Sequence, residues 1–110
     1  MKLLTRAEEL VLLAVWRLQG RAYSVSIRRQ ISETTGEEWS LGSVYMPLNR
    51  LLKKGYLESY LSEATPDRGG RHKRIYRLSR DGMKELVRTK KVQAKMWQGI
   101  WESLPEVEHE

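Results

Sequence analysis

Four cations, Arg68, Arg71, Lys73 and Arg74, fall within seven residues, in a stretch that also holds Pro66, Gly69, Gly70 and His72. Guanidinium and ammonium groups on a turn can neutralise phosphates of one backbone, and glycines let the turn approach closely. A second group lies upstream: Ser43, Tyr45, Met46, Asn49, Arg50 and Lys53. On one side of a helix, such hydroxyl, amide and guanidinium groups suit base edges in a major groove and the phosphates beside them. Tyr23 and Ser24 open another helical stretch, where free backbone N–H groups can face a phosphate. All of this chemistry is recognition of a polyanion.

Bond-making chemistry has no comparable support. The chain contains no cysteine, so disulfides, thiol nucleophiles and thiolate metal sites are excluded. His72 and His109 have no ligand partners at metal-binding spacing, and no metal site is expected. Gly69-Gly70 has neither the spacing nor the strand-to-helix context of a phosphate-binding loop. No Ser/His/acid set can be named, so neither an enzyme nor a cofactor is expected.

Charge balance agrees with an acidic partner. Twenty Lys and Arg oppose fourteen Asp and Glu, a net +6, which favours nucleic acid first and a membrane surface second. Cations crowd residues 50–80, whereas the tail 106–110 is acidic; a charge so divided suggests a binding face. With 110 residues, 40% hydrophobic and 31% charged, the composition fits one compact globular domain. The longest apolar run, Leu10 to Trp16, is too short to span a bilayer, and no signal peptide is expected. The absence of cysteine fits a reducing cytoplasm.

The elements that must position these groups can be read from caps and periodicity. Thr5-Arg6-Ala7-Glu8 reads as a capping box for a helix reaching about Gln19 and ending at Gly20. Its middle is apolar nearly all round, so it is either a fully buried central helix or one whose second face meets a partner subunit. Ser24 is expected to cap a second helix, 25–34, with Ile27 and Ile31 inward. A third helix, capped by Ser40 or Ser43, reaches Lys54 with an inner stripe of Val44, Leu48, Leu51 and Leu52. The Ser43 start is preferred, because it leaves Pro47 in the first turn, where a missing donor matters little. Two strands, 56–61 and 74–78, enclose the basic turn as a β-hairpin. Trp39-Ser40 reads as a short extended piece, with Trp39 anchoring the small sheet against the core. Ser79 caps a last helix running to Leu104, stopped by Pro105; at 1.5 Å per residue it is roughly 35–40 Å long. That is too long for so small a domain to cover. Its apolar residues, among them Met83, Val87, Trp97 and Trp101, call for a second copy.

The expected fold is therefore mainly α with a small β-hairpin: a winged helix-turn-helix (1–78), a long C-terminal dimerisation helix (79–104) and an acidic tail (105–110). Over nearly its whole length the sequence resembles the PadR-type transcriptional regulators, in the short subfamily with a single C-terminal helix. The resemblance rests on 9–15, on Tyr23 with Ile27, on Ser43-Val44-Tyr45 and Leu48-Asn49-Arg50-Leu51, on Lys54-Gly55-Tyr56-Leu57, and on the wing string 69–79 with Gly82. It departs at Tyr23-Ser24-Val25, where the family has a Tyr-Gly-Tyr-type start. It departs again at Pro47, one place later than usual, and at Leu52, where an acidic residue is common.

The resemblance implies a homodimeric repressor binding double-stranded DNA at inverted-repeat operators. It also implies a place for a small aromatic effector, since some members hold flat aromatic or cationic compounds at the dimer centre. Trp16, Trp97 and Trp101 either line such a pocket or simply pack the dimer interface. Two alternatives stay open: a ligand-responsive sensor, and a winged-helix adaptor that binds protein rather than DNA. RNA is disfavoured, since no aromatic stacking platform on a sheet is evident.

Overall fold

The computed structural model describes residues 2–63 and 72–105. Helix α1 (Arg6–Leu18) begins at the expected capping box: the Glu8 N–H donates to Thr5 Oγ1 at 3.1 Å, and the Thr5 N–H donates to Glu8 Oε1 at 2.8 Å. Gln19 ends it in the left-handed region, and Gly20 follows with φ +82°. Helix α2 (Ser24–Thr35) starts one residue earlier than predicted. Tyr23 holds the cap position, and its N–H donates to the Ser26 hydroxyl at 2.9 Å. Ser24 is thus the first helical residue and not the cap.

Helix α3 (Leu41–Lys53) differs from the preferred reading. Ser40 is the cap, its hydroxyl accepting from the Ser43 N–H at 3.1 Å. Pro47 then lies in the helix interior, on the buried side with Val44, Leu48 and Leu51. The prediction weighed the lost backbone donor and missed that the ring fills core space, which offsets part of that cost.

Strands β1 (Leu57–Leu61) and β2 (Arg74–Leu78) pair antiparallel, with Leu57 opposite Leu78 and Leu61 opposite Arg74. The Tyr76 N–H donates to the Ala22 carbonyl at 2.8 Å, clipping the hairpin to the chain just before α2. Trp39 is in the connection between α2 and α3 and forms no strand. It is half-buried against the core, its N–H on the Ser32 hydroxyl (3.1 Å) and its carbonyl near Arg28 (3.4 Å). It is tied to α2, not to the sheet.

Helix α4 (Arg80–Trp97) is the long C-terminal helix, capped by the Ser79 hydroxyl on the Gly82 N–H. It stops seven residues short of the predicted end. Gln98 leaves the helical conformation, Gly99 takes φ +77°, and a single further turn, α5 (Ile100–Ser103), follows. The apolar spacing of Trp97, Ile100, Trp101 and Leu104 continues through this break, which is why periodicity alone did not reveal it. Helix α4 is about 27 Å long at the standard rise.

The core gathers Val11, Leu12 and Val15 of α1, Ile27 and Ile31 of α2, Val44, Leu48 and Leu51 of α3, and Leu57, Tyr76 and Leu78 of the hairpin. Helix α1 is therefore central but not fully buried. Leu13 and Trp16 remain exposed on its far side, as do Met83 and Val87 on α4. Among the described residues no helix is long and apolar enough to cross a membrane.

Candidate nucleic-acid interface

Helix α3 buries one side in the core, and that fixes which side chains it presents outward. Tyr45, Met46, Asn49 and Lys53 are exposed, Met46 to 64%. Ser43 is exposed as well, its hydroxyl 3.0 Å from that of Ser40 at the helix start. The start of α2 and the start of β2 converge on the same side. Between them opens a cleft of about 500 Å³ whose polar lining includes Tyr23, Ser24, Tyr45, Asn49, Lys73 and Arg74. Six of the residues singled out from sequence thus meet in one place.

Local contacts hold this cleft in shape. The Tyr45 hydroxyl donates to Ser24 Oγ at 3.3 Å, joining α3 to α2. The Lys73 ammonium sits 3.9 Å from the centre of the Tyr23 ring, and the Lys73 N–H donates to Ser62 Oγ at 2.9 Å. A cation over an aromatic face is held in place without being neutralised by an acid, so its charge stays available to a ligand. Arg74 donates to Ser59 Oγ at 3.0 Å across the hairpin. His72 is exposed, its Nδ1 against the Ser62 carbonyl. Arg68 and Arg71, also singled out from sequence, lie outside the described residues.

Ser59, Leu52 and Tyr76 also line the cleft; the sequence marks Leu52 only as part of the inner stripe of α3 and gives Ser59 and Tyr76 no site role. Tyr76 was read only as a strand residue. Its alternation with Arg74 places both on one side of β2, a signal that could have marked it. Burial pushes the Tyr76 hydroxyl's pKa up, against a lowering influence from Arg74, so it stays a neutral hydrogen-bonding group near neutral pH.

Arg50 occupies a different setting from its neighbours on α3. Its Nε donates to Glu8 Oε2 at 3.3 Å, and the Lys54 ammonium reaches the same oxygen at 2.7 Å. The Glu8 side chain is only 1% exposed. Burial alone would raise its pKa. The ammonium of Lys54, the Thr5 N–H and the Arg50 guanidinium outweigh burial and hold the carboxyl below its ordinary value of 4.5. One carboxylate therefore caps α1 and ties down the C-terminal turn of α3. From sequence only the capping role was legible.

The tryptophans lie elsewhere. Trp97 and Trp101 are 53% and 61% exposed, their ring centres 6.1 Å apart and tilted by 55° across the break after α4. Trp16 projects from α1, also exposed.

Known proteins share this arrangement of three helices, hairpin and long helix. A PadR-like regulator from Bacillus cereus superposes with a TM-score of 0.74 at 18% identity, covering 91% of this chain and 92% of that one. A transcriptional regulator from Clostridium thermocellum matches with a TM-score of 0.72 at 20% identity, over 90% of both chains. A PadR family regulator from Clostridium difficile matches with a TM-score of 0.65 at 23% identity, over 89% of this chain and 93% of that one. No curated protein matches the sequence. The model of the "Transcriptional regulator PadR-like family" matches residues 12–88, from the core of α1 through the hairpin into α4. Covering well over half of the sequence, that match places the chain in the PadR-like family of transcriptional regulators.

Proposed function

We propose that the protein regulates transcription by binding an inverted-repeat DNA operator as a homodimer, most simply as a repressor. The observation that carries this reading is the cleft where α3, the start of α2 and the start of β2 present Tyr45, Asn49, Lys73 and Arg74 together. Residues 1–78 form the DNA-binding unit, and 79–104 the dimerisation segment. Tyr45, Met46 and Asn49 meet base edges from α3, with Ser43 and Lys53 beside them on the flanking phosphates. Tyr23 and Ser24 offer the start of α2 to a phosphate. Lys73, Arg74 and His72, with Arg68 and Arg71 just before them in sequence, grip the neighbouring backbone. Arg50 has a divided role, since Glu8 already holds its Nε.

Dimerisation is supported by apolar residues left exposed on two adjoining helices: Leu13 and Trp16 on α1, Val87 and Trp97 on α4. Two copies joined there would set their α3 helices about one helical turn of DNA apart, roughly 34 Å.

Selection of bound duplexes from a random pool tests the reading, and the expected product is two half-sites in inverted order. On that duplex, Asn49→Ala and Tyr45→Ala should each narrow the gap between operator and random sequence by about 1–3 kcal/mol. Lys73→Ala should weaken all duplexes alike and flatten the salt dependence by about one phosphate's worth. Gel shifts unchanged in both classes of variant would remove these residues from the interface.

A second reading, an aromatic effector at the dimer centre, is favoured by the exposed Trp97–Trp101 pair. Titration with a flat aromatic cation should quench tryptophan fluorescence in the wild type and much less in Trp97→Ala. Equal quenching in the two proteins would discard the pocket.

A further inference from the structure

Helix α4 carries six cations, Arg80, Lys84, Arg88, Lys90, Lys91 and Lys95, against two acids, Asp81 and Glu85. That net of +4 resides in one helix of a chain whose total is +6. Much of the protein's positive charge therefore lies away from α3 and the hairpin.

The cations are ordered. Residues 80, 84, 88, 91 and 95 follow one another at steps of four, four, three and four, so they form one stripe along the helix. At the standard rise the stripe is about 22 Å long. Gly82, Glu85 and Thr89 mark the side of α4 packed on the rest of the chain, and Met83 and Val87 mark its exposed apolar side. By helical geometry the stripe belongs to neither. Arg88 is paired with Glu85. Arg80, Lys84, Lys91 and Lys95 are exposed and join no ion pair among the described residues. Like charges one turn apart weaken a helix. An external polyanion would relieve that repulsion.

From this placement we infer that the stripe is a second, sequence-independent contact for the phosphate backbone of duplex DNA, outside the half-site read by α3. The inference rests on the DNA-binding reading above. A row of cations about 6 Å apart along a straight axis can follow one phosphate strand, and the proposed target already brings such strands to the protein. A helix lying in a lipid surface binds most firmly when its apolar side inserts beside its cations, and on α4 that side is the one available to a second copy.

The test compares the full chain with a triple variant, Lys84→Gln, Lys91→Gln and Lys95→Gln, by gel shift on the selected operator and on a random duplex across a salt series. The variant should bind both duplexes at least roughly tenfold more weakly near 0.1 M salt. Its salt slope should fall by about 2–3 per protomer, and its preference for operator should be unchanged. The matching Lys→Arg triple should behave as wild type. If the wild type binds operator and the glutamine triple matches it in affinity and slope, this inference fails while the operator reading stands. If the wild type ignores every duplex, both fall. Loss of adhesion to phosphatidylserine vesicles with duplex binding intact would overturn the DNA assignment in favour of a membrane surface.

Discussion

A Gly82→Ala variant should melt roughly 10–20 °C below the wild type, the shift that about 3 kcal/mol produces in a domain of this size. A Cβ at position 82 would lie 2.1 Å from the Tyr56 carbonyl oxygen and 3.0 Å from its carbon. Those atoms are backbone, so no rotamer change relieves the clash; helix and hairpin must part. The same spot is where chain segments are tied together. The Ser79 hydroxyl donates to the Gly55 carbonyl, the Ser79 N–H donates to the Tyr56 carbonyl at 3.1 Å, and the Gly82 N–H donates to the Ser79 hydroxyl at 3.0 Å. Displacing α4 breaks this set together. Gly42→Ala is the control, because its Cβ would meet nothing closer than the Ser40 hydroxyl oxygen at 3.7 Å. In a helix that change should be neutral or stabilising by up to about 1 kcal/mol. Thermal melts followed by circular dichroism decide the matter, and equal melting of the two variants would refute the close-approach account.

Removing the carboxylate of Glu8 should cost about 2–3 kcal/mol. Breaking a buried ion pair from one side costs about 3–5 kcal/mol when the remaining charge stays buried. Here Arg50 and Lys54 are 42% and 36% exposed and can regain water, which lowers the figure. Loss of half the capping box adds to it. Glu8→Ala loses both functions, whereas Glu8→Gln keeps an acceptor for the Thr5 N–H and loses only the charge. Denaturant unfolding at neutral pH should therefore rank wild type above Gln and Gln above Ala. The pH dependence has a definite sign. The folded-state pKa of Glu8 is depressed below 4.5, so its contribution is fully present above that value and is lost as pH falls through the folded pKa. The gap between wild type and Glu8→Gln should close in that acid range. A gap independent of pH would mean that the charge contributes nothing.

Local signals proved more legible than distant ones. The α1 capping box, the inner stripes of α2 and α3, and both strands could be read because each depends on residues within one or two turns. The start of α3 went astray over one competing pair: Ser40 and Ser43 both look like caps, and only the fold shows Ser40 accepting from the Ser43 N–H. The break after Trp97 was hidden because apolar spacing persists across Gly99. At the site, Tyr23, Tyr45, Asn49 and Lys73 were legible as residue types at suitable positions. Their meeting in one cleft was not, since it depends on the hairpin being clipped to Ala22 through Tyr76. Least legible was the Glu8 contact with Arg50 and Lys54, which joins residues 42 and 46 positions apart.

The Gly55–Ser79 contact also couples the start of α4 to the closing of the hairpin. The hydroxyl that starts α4 is fixed by a carbonyl 24 residues earlier, and that meeting exists only once the hairpin has closed. The first turn of α4 is therefore held by a tertiary contact as well as by its own Ser79 cap. Synthesis from the N-terminus delivers the proposed reading unit before the helix proposed to pair two copies.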